Sequence, residues 1–158
     1  TAANKAQMTH LLDAHESKAE RAPSNLRKHF DLIRKTVGMA SLKDTAERLL
    51  ALPTEGDEWL ATAVDTFRRG SPTSAALAWE LQHRCRHRAL SDVFRIEYNV
   101  AISCCAAHDF AEGVRALLID KDRSPKWDPP TLAAVEQKFI ESHFRDHHDG
   151  AHPLSDWR

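Results

Sequence analysis

Apolar residues recur at helical spacing along almost the whole chain, and this pattern limits the possible folds more than any other feature. Leu26, Phe30, Ile33 and Val37 follow one another at intervals of four, three and four residues, which is the period of an α-helix. No segment alternates apolar and polar residues with period two, and no hairpin turn joins two β-branched runs. The sequence therefore predicts an all-α fold of seven or eight amphipathic helices without a sheet.

Helix-start signals support this prediction. Ser41 precedes one apolar stripe as a candidate N-cap, and Ser71-Pro72 combines a cap with proline at the first helical position. Asp109 is followed three residues later by Glu112, which is capping-box spacing. Two carboxylates this close could also carry general acid–base chemistry, but a helix cap is the simpler interpretation, and we expect both to be structural.

The stripes also predict which side chains face the core of a single compact unit. The 158 residues are enough for one domain with a core. The residues predicted to face inward are Leu26, Phe30, Ile33, Leu60, Val64, Phe67, Leu77, Leu81, Val100, Phe110, Val114, Leu117 and Phe139.

Glycine content and charge argue against several classes of function. The five glycines are never adjacent and never form a G-x-G, whereas a phosphate-cradling loop or a backbone oxyanion hole usually needs clustered glycines. The formal net charge is −1, so no overall field attracts nucleic acid or an anionic membrane surface. We expect neither a nucleic-acid partner nor a membrane partner.

The compartment and the chain ends give weaker signals. Three cysteines are too few for a disulfide framework, which favours reduced thiols and a bacterial cytoplasm or a mitochondrial matrix. No apolar run approaches the ~20 residues of a membrane span. The sequence begins with Thr1 and not with methionine, and we expect it to be part of a longer protein.

Two histidine groups raise the question of a metal. His83 and His87 lie four residues apart, as zinc ligands on a helix can, but three arginines (Arg84, Arg86 and Arg88) crowd the same turns. A solvated basic helix end is the simpler interpretation of this stretch, and a phosphate contact is the alternative. The polar end of the chain holds four more histidines: His143, His147, His148 and His152. We expect no physiological metal at either place.

The segment from Asp120 to Trp127 combines charges, a proline and an aromatic residue. It is either a surface loop anchored by Trp127, or a binding loop in which Lys121 or Lys126 contacts an anionic group. The sequence favours neither interpretation over the other.

A family resemblance rests on these same segments. Residues 109–116 (DFAEGVRA) and 119–127 (IDKDRSPKW), preceded by Ser71-Pro72-Thr73-Ser74 and Glu97-Tyr98, resemble the C-terminal signature of 3-hydroxyisobutyryl-CoA hydrolases. These enzymes belong to the crotonase (enoyl-CoA hydratase/isomerase) superfamily. The resemblance is strong from about Ser71 to Phe144 and diffuse from Gln7 to Arg69.

The resemblance implies the C-terminal helical part of an acyl-CoA thioester hydrolase of valine catabolism, without its sheet core. Residues 1–70 would be a helical insertion-like segment, 71–144 the C-terminal signature region, and 145–158 a polar, flexible tail. In that family the oxyanion hole and catalytic carboxylates precede this region, so no catalytic residue is assigned here, and this chain alone is expected to be inactive.

For binding, the resemblance implies a coenzyme A thioester as substrate and no cofactor. Lys121, Lys126 and Trp127 would lie at the nucleotide end of the CoA site. The expected partners are the crotonase core, in the same chain or a second one, and further copies of the chain in a homo-oligomer. The alternative is a non-catalytic helical interaction module of a crotonase-like structural protein.

Overall fold

The computed structural model describes residues 2–15, 23–38 and 41–157, and within these ranges the chain is helical and contains no strand. The all-α prediction is confirmed. Nine α-helices lie in the described ranges, against the predicted seven or eight. They are α1 (Ala2–Ala14), α2 (Asn25–Lys28), α3 (Phe30–Val37), α4 (Leu42–Leu50), α5 (Glu58–Arg69), α6 (Pro72–Cys85), α7 (Leu90–Ala106), α8 (His108–Val114) and α9 (Gln137–Ser142).

Two further helical segments complete the fold. A π-helical turn, Arg115–Ile119, continues α8, and a 3-10 turn, Leu132–Ala134, precedes α9. The predicted insertion-like segment, residues 1–70, lies partly outside the described residues. Arg158, the last residue of the predicted tail, also lies outside them.

Side-chain caps begin several of these helices. The Ser41 hydroxyl accepts a hydrogen bond from the Asp44 backbone N–H at 3.0 Å, and the Ser71 hydroxyl accepts one from the Ser74 N–H at 3.0 Å. Both predicted caps are therefore confirmed. The Asp57 carboxylate caps α5 in the same manner by accepting a hydrogen bond from the Leu60 N–H. Each cap stabilises its helix because it satisfies an N–H that has no partner inside the helix.

The chain divides into two compact units, Thr1–Ile33 and Arg34–Arg158, where the sequence predicts one. The predicted boundaries at residues 70 and 144 remain predictions. The core and the site described below lie within the second unit.

The core of the second unit lies where α6, α7 and α9 meet. Ala76 and Leu77 of α6, Val100 of α7 and Ile140 of α9 form its buried cluster, and Ile140 is only 1% exposed. Six partly buried residues pack around them: Leu42, Leu81, Cys104, Leu132, Val135 and Phe144. α9 therefore contributes the most buried side chain although it has only six residues.

The predicted set of inward residues is only partly right. Four of its members are buried, namely Leu60, Val64, Leu77 and Val100, and four are partly buried, namely Ile33, Phe67, Leu81 and Val114. Five are exposed: Leu26 (64%), Phe30 (57%), Phe110 (54%), Leu117 (63%) and Phe139 (38%). A stripe shows which residues share a helix face, but it does not show whether another element covers that face.

The error at Phe139 has a specific cause. The sequence predicts a last helix that starts at Asp128-Pro129, whereas α9 starts at Gln137 after the separate 3-10 turn. The helical periodicity therefore does not run unbroken from Leu132 to Phe139. Ile140, one residue further on, faces the core instead.

Candidate functional site

A groove of about 650 Å³ lies in the second unit, between the corner that joins α5 to α6 and the stretch formed by α8, the π-helical turn and the loop that follows. Most of its lining is apolar: Leu77, Cys104, Phe110, Val114, Leu117, Leu118, Pro125 and Trp127. Polar side chains are fewer and include Thr73, Asp109, Arg123 and His143. A volume of this size is typical of small-molecule sites. An exposed apolar lining is also typical of surfaces that receive another polypeptide segment.

Asp109 connects three parts of the groove wall. Its Oδ2 accepts a hydrogen bond from the Ser71 hydroxyl at 2.5 Å, and its Oδ1 accepts one from the backbone N–H of Asp128 at 2.9 Å. The same Ser71 hydroxyl caps α6. Asp109 therefore links the start of α6, the start of α8 and the end of the loop.

The predicted capping role of Asp109 is wrong. Ala107 occupies the N-cap of α8 and makes no side-chain cap bond, while Asp109 lies inside the first turn. The Asp109 carboxylate instead accepts hydrogen bonds from residues distant in sequence. Its role is structural because it links separate segments, and not because it caps its own helix.

Glu112 and Arg115 form the central ion pair of this wall. The guanidinium donates to both carboxylate oxygens of Glu112, at 2.9 and 2.8 Å. It also donates to Asp120 and Asp122, each at 2.6 Å, and to the Ser124 carbonyl. A single arginine thus holds the end of the helix and the first part of the loop together through geometrically specific bonds.

These contacts keep the carboxyl groups ionised. The hydrogen bonds from Arg115, together with the backbone N–H of Lys126, lower the pKa of Glu112 to about 2. Arg115 also lowers the pKa of Asp122, helped by the Ser124 N–H, and the carboxylates in turn raise the pKa of Arg115. A carboxyl group is poorly suited to general acid–base catalysis when its pKa lies this far below neutral pH and both of its oxygens accept hydrogen bonds.

The loop is held by the backbone of Lys126 and by the side chain of Trp127. The Lys126 N–H donates to Glu112 at 2.7 Å, and His108 Nε2 donates to the Lys126 carbonyl at 3.0 Å. The indole N–H of Trp127 donates to the Arg69 carbonyl at 2.9 Å. The Trp127 ring packs against α8 at Gly113, where a Cβ would lie 3.5 Å from the ring, an ordinary van der Waals distance. These contacts are those of a loop anchor.

The two lysines of the loop are exposed and, within the part of the chain that the structure describes, their ammonium groups form no hydrogen bond or ion pair. Lys121 has a left-handed backbone with φ of 57°. The stretch 109–128 carries four cations and five carboxylates. A bound anion would therefore contact single lysine ammonium groups and would not be attracted by an overall positive potential. The CoA-binding role of Lys121, Lys126 and Trp127 remains a prediction.

The other charged candidates are engaged structurally. His83 Nδ1 donates to the Trp79 carbonyl at 2.8 Å. Arg84 pairs with Glu80 and Glu141 and lies 3.9 Å from the centre of the Phe144 ring. Arg84 is thus the centre of a contact between α6 and α9, whereas Arg86, His87 and Arg88 of the basic run are exposed.

The described residues offer little other chemistry. Among them no group of three or more His, Cys, Asp or Glu side chains could hold a metal ion. None of the described helices is both long and apolar enough to cross a membrane. Burial raises the pKa of the Cys85 and Cys104 thiols, which lowers their reactivity.

Arg115 was not predicted from the sequence as the partner of Glu112. The spacing of three residues on a helix is a usable signal for such a pair. The contact of Ser71 with Asp109 spans 38 residues and has no local signal.

Comparisons with known proteins agree with this architecture. A family profile described as enoyl-CoA hydratase/isomerase matches residues 1–144. The mitochondrial 3-hydroxyisobutyryl-CoA hydrolase of Danio rerio is 34% identical over 137 residues, covering 85% of this chain and 35% of the relative. The corresponding protein of Homo sapiens is 33% identical over 131 residues, covering 82% of this chain and 33% of the relative.

Solved structures give a similar result. An enoyl-CoA hydratase from Rhodobacter sphaeroides 2.4.1 superposes with a TM-score of 0.69 at 28% identity, covering 89% of this chain and 42% of that one. A carnitinyl-CoA dehydratase from Mycobacterium thermoresistibile gives 0.70 at 29% identity, covering 85% and 37%. The chain spans about a third of the length of the curated relatives it matches.

Proposed function

The chain belongs to the enoyl-CoA hydratase/isomerase family, and we propose that it acts as the C-terminal helical part of an acyl-CoA thioester hydrolase similar to 3-hydroxyisobutyryl-CoA hydrolase. The substrate is a coenzyme A thioester of valine catabolism, in a mitochondrial matrix or a bacterial cytoplasm. A crotonase core, in the same chain or a second one, supplies the catalytic groups. This helical part packs on that core and completes the CoA site.

The observation that carries the proposal is the apolar surface at the groove. Phe110, Leu117 and Leu118 line the groove and are 54%, 63% and 62% exposed, and the adjacent Ile119 is 68% exposed. Contiguous apolar surface of this kind marks an interaction site. A core seated on these residues would remove them from water, which is the main driving force of such an association.

The assignment of catalysis to the core and not to the helical part follows from the chemistry of thioester hydrolysis. The reaction needs donors that stabilise the oxyanion and a carboxylate that promotes attack by water. This sequence has no clustered glycines for a backbone oxyanion hole, and Asp109 and Glu112 are held by structural hydrogen bonds. The 158-residue chain by itself should therefore hydrolyse no 3-hydroxyacyl-CoA above a buffer blank, and measurable hydrolysis would contradict this division.

The loop supports a role at the CoA end of the site. The loop is fixed by the Lys126 backbone N–H, which donates to Glu112, and by the Trp127 indole, which donates to the Arg69 carbonyl. The two lysine ammonium groups remain free to contact a phosphate. Fixing the loop before binding reduces the entropy lost when the ligand is bound. Trp127 is half-buried and offers its ring surface next to Lys126.

The test uses a protein that carries both the core and this region. Lys121→Ala or Lys126→Ala should raise KM for the CoA substrate by about 3- to 10-fold with kcat nearly unchanged, as expected for loss of a charge contact made equally in ground state and transition state. Lys43→Ala is the matched control, since Lys43 is an exposed lysine on α4. A fall in kcat without a change in KM, or no change in either variant, would refute the assignment.

The same protein separates the two classes of function. Hydrolysis of an acyl-CoA by the complete protein supports the enzyme. A complete protein that binds its core through the groove but hydrolyses no acyl-CoA would identify the helical part as a non-catalytic interaction module.

A further inference from the structure

The groove described above has two buried polar side chains in its lining. Thr73 of α6 and His143, which directly follows α9, are 4% and 3% exposed. Leu77, one turn after Thr73 on the same face of α6, and Ala116 of the π-helical turn are also buried and supply apolar surface. These four residues are here called the groove floor, and the exposed apolar residues proposed to seat the core are not among them.

The Thr73 hydroxyl forms no hydrogen bond with any residue that the structure describes. A hydroxyl can donate one hydrogen bond and accept two, and most buried polar side-chain atoms in proteins have at least one partner. Ser71, two residues earlier, has both kinds of partner, since its hydroxyl donates to Asp109 and accepts from the Ser74 N–H. The polar capacity of Thr73 is therefore unused, whereas that of Ser71 is used.

His143 presents a second unused polar atom. Its Nδ1 lies 2.9 Å from the Phe139 carbonyl and must donate to it, so that Nε2 of a neutral ring is an acceptor. Within the described part of the chain Nε2 has no hydrogen-bond partner. The residue itself is held firmly, because the Ser103 hydroxyl donates to its carbonyl at 3.2 Å and the Phe139 ring packs on the imidazole with centroids 4.8 Å apart.

We propose that the groove floor binds a small neutral alcohol, a molecule with an apolar body and one hydroxyl group. Its O–H donates to Nε2 of His143, and its oxygen accepts from the Thr73 hydroxyl. A hydroxyl both donates and accepts through one atom, whereas a carbonyl or ether oxygen only accepts and an ammonium group only donates. A largely apolar lining with a few placed polar groups is typical of small-molecule sites.

The two helices that carry these groups are packed together. Ile140, three residues before His143, belongs to the same buried cluster as Leu77, which lies one turn from Thr73. The positions of both polar groups are therefore set by the core of the unit and not by a loop.

Charge at the groove favours a neutral ligand at the floor. Asp109 accepts hydrogen bonds on both of its oxygens, Arg69 pairs with Asp65, and the side chain of Arg123 is exposed. None of these groups belongs to the floor, so a charge placed there would lose its hydration without gaining a counter-ion. The proposed ligand is thus distinct from the anionic nucleotide end of coenzyme A, and the inference does not depend on the proposed function.

The experiment follows ligand binding by fluorine NMR of Trp127, which alone among the four tryptophans lines the groove. The tryptophans are replaced by 5-fluorotryptophan, and the Trp127 resonance is assigned by its loss in Trp127→Phe. The probe is benzyl alcohol, and ethylbenzene is its counterpart of the same shape without the hydroxyl. At about pH 8, where imidazole is ordinarily neutral, benzyl alcohol should shift the Trp127 resonance saturably and leave the other three in place.

Two variants test the two hydrogen bonds. Thr73→Val keeps the shape of the side chain and removes the hydroxyl, and His143→Leu removes the acceptor. Each should raise the Kd of benzyl alcohol by about 3- to 10-fold, as expected for loss of one hydrogen bond, and Thr73→Val should leave the Kd of ethylbenzene unchanged.

Two further variants serve as controls. Thr73→Ser keeps a hydroxyl and should bind benzyl alcohol nearly as the wild type does. Thr66 is an exposed threonine that lines the same groove, so Thr66→Val should leave both Kd values unchanged. Circular dichroism shows whether each variant keeps the wild-type helical content, and if His143→Leu does not fold, the Thr73 variants decide the test.

Three results would overturn the proposal. The first is a Trp127 resonance that does not respond to benzyl alcohol or that shifts together with the other three. The second is an unchanged Kd of benzyl alcohol in Thr73→Val or in folded His143→Leu. The third is a loss of ethylbenzene affinity in Thr73→Val equal to that of benzyl alcohol, since the hydroxyl would then have no part in recognition.

Discussion

Replacement of Asp109 by alanine tests the structural interpretation of the groove wall. The substitution removes an acceptor from the Ser71 hydroxyl and another from the Asp128 N–H. It leaves the Ser71 cap on α6 without its second partner. The expected result is a destabilised second unit, since the start of α6, α8 and the loop lose their common connection.

The magnitude follows from the two hydrogen bonds. A bond to a charged group contributes roughly 1.5–3 kcal/mol when buried, and Asp109 is only partly buried. We therefore expect Asp109→Ala to lower the free energy of unfolding by about 2–4 kcal/mol. Asp109→Asn keeps an acceptor for the Asp128 N–H and should cost about 1 kcal/mol.

A double-mutant cycle isolates the contact itself. Ser71→Ala should cost about 2 kcal/mol because it removes both the cap and the bond to Asp109. When the two alanine substitutions are combined, the costs should fall short of additivity by about 1 kcal/mol, the coupling expected for residues in direct contact.

Urea unfolding followed by tryptophan fluorescence measures these values. All four tryptophans lie in the second unit, so the signal reports on the unit that contains the contact. Asp65→Ala is the control, since Asp65 forms an exposed pair with Arg69 within α5 and such pairs contribute about 0–1 kcal/mol.

Two results would refute the reasoning. One is an Asp109→Ala cost no greater than that of Asp65→Ala, and the other is full additivity with Ser71→Ala. If the stability of the complete protein is unchanged while its activity is lost, Asp109 is catalytic and not structural.

Two further predictions concern Glu112 and the position of α9. The carboxyl of Glu112 has its pKa lowered from 4.5 to about 2, so the stability it contributes is present above about pH 4.5 and is lost as the pH falls toward about 2. Glu112→Gln should therefore lower Tm at neutral pH and show a smaller further loss of Tm than the wild type between those values; equal acid profiles would contradict this. Ile140→Ala should cost about 2–5 kcal/mol in urea unfolding because Ile140 is 1% exposed, whereas Phe139→Ala should cost clearly less, and the reverse order would contradict the observed position of α9.

The secondary structure was predictable because its signals are local. The stripe periods predict the helices, and the hydroxyls of Ser41 and Ser71 predict two helix starts that the structure confirms. Each of these signals acts within about four residues along the chain. The family was also predictable, since the residues 109–127 that carry the resemblance are contiguous.

The candidate site was predictable only in part. The segment with Lys121, Lys126 and Trp127 was recognised, but its fastening through Glu112, Arg115 and Arg69 was not. Arg115 has three carboxylates within reach along the sequence, and only the path of the loop determines that it binds all of them. Nor does a local pattern show that Asp109 would bind Ser71 instead of capping its own helix.

The sequence by itself determined which residues share a helix face, where several helices begin, and which family the chain resembles. The tertiary structure alone decided which of those faces are covered: Leu77 and Phe110 both belong to clear stripes, yet one is 4% and the other 54% exposed. The physical reason is that periodicity and capping arise from bonds within one helix, whereas burial requires a second element whose position depends on contacts far apart in the chain. For that reason the bond of Asp109 to Ser71 and the burial of Ile140 became visible only in the folded protein.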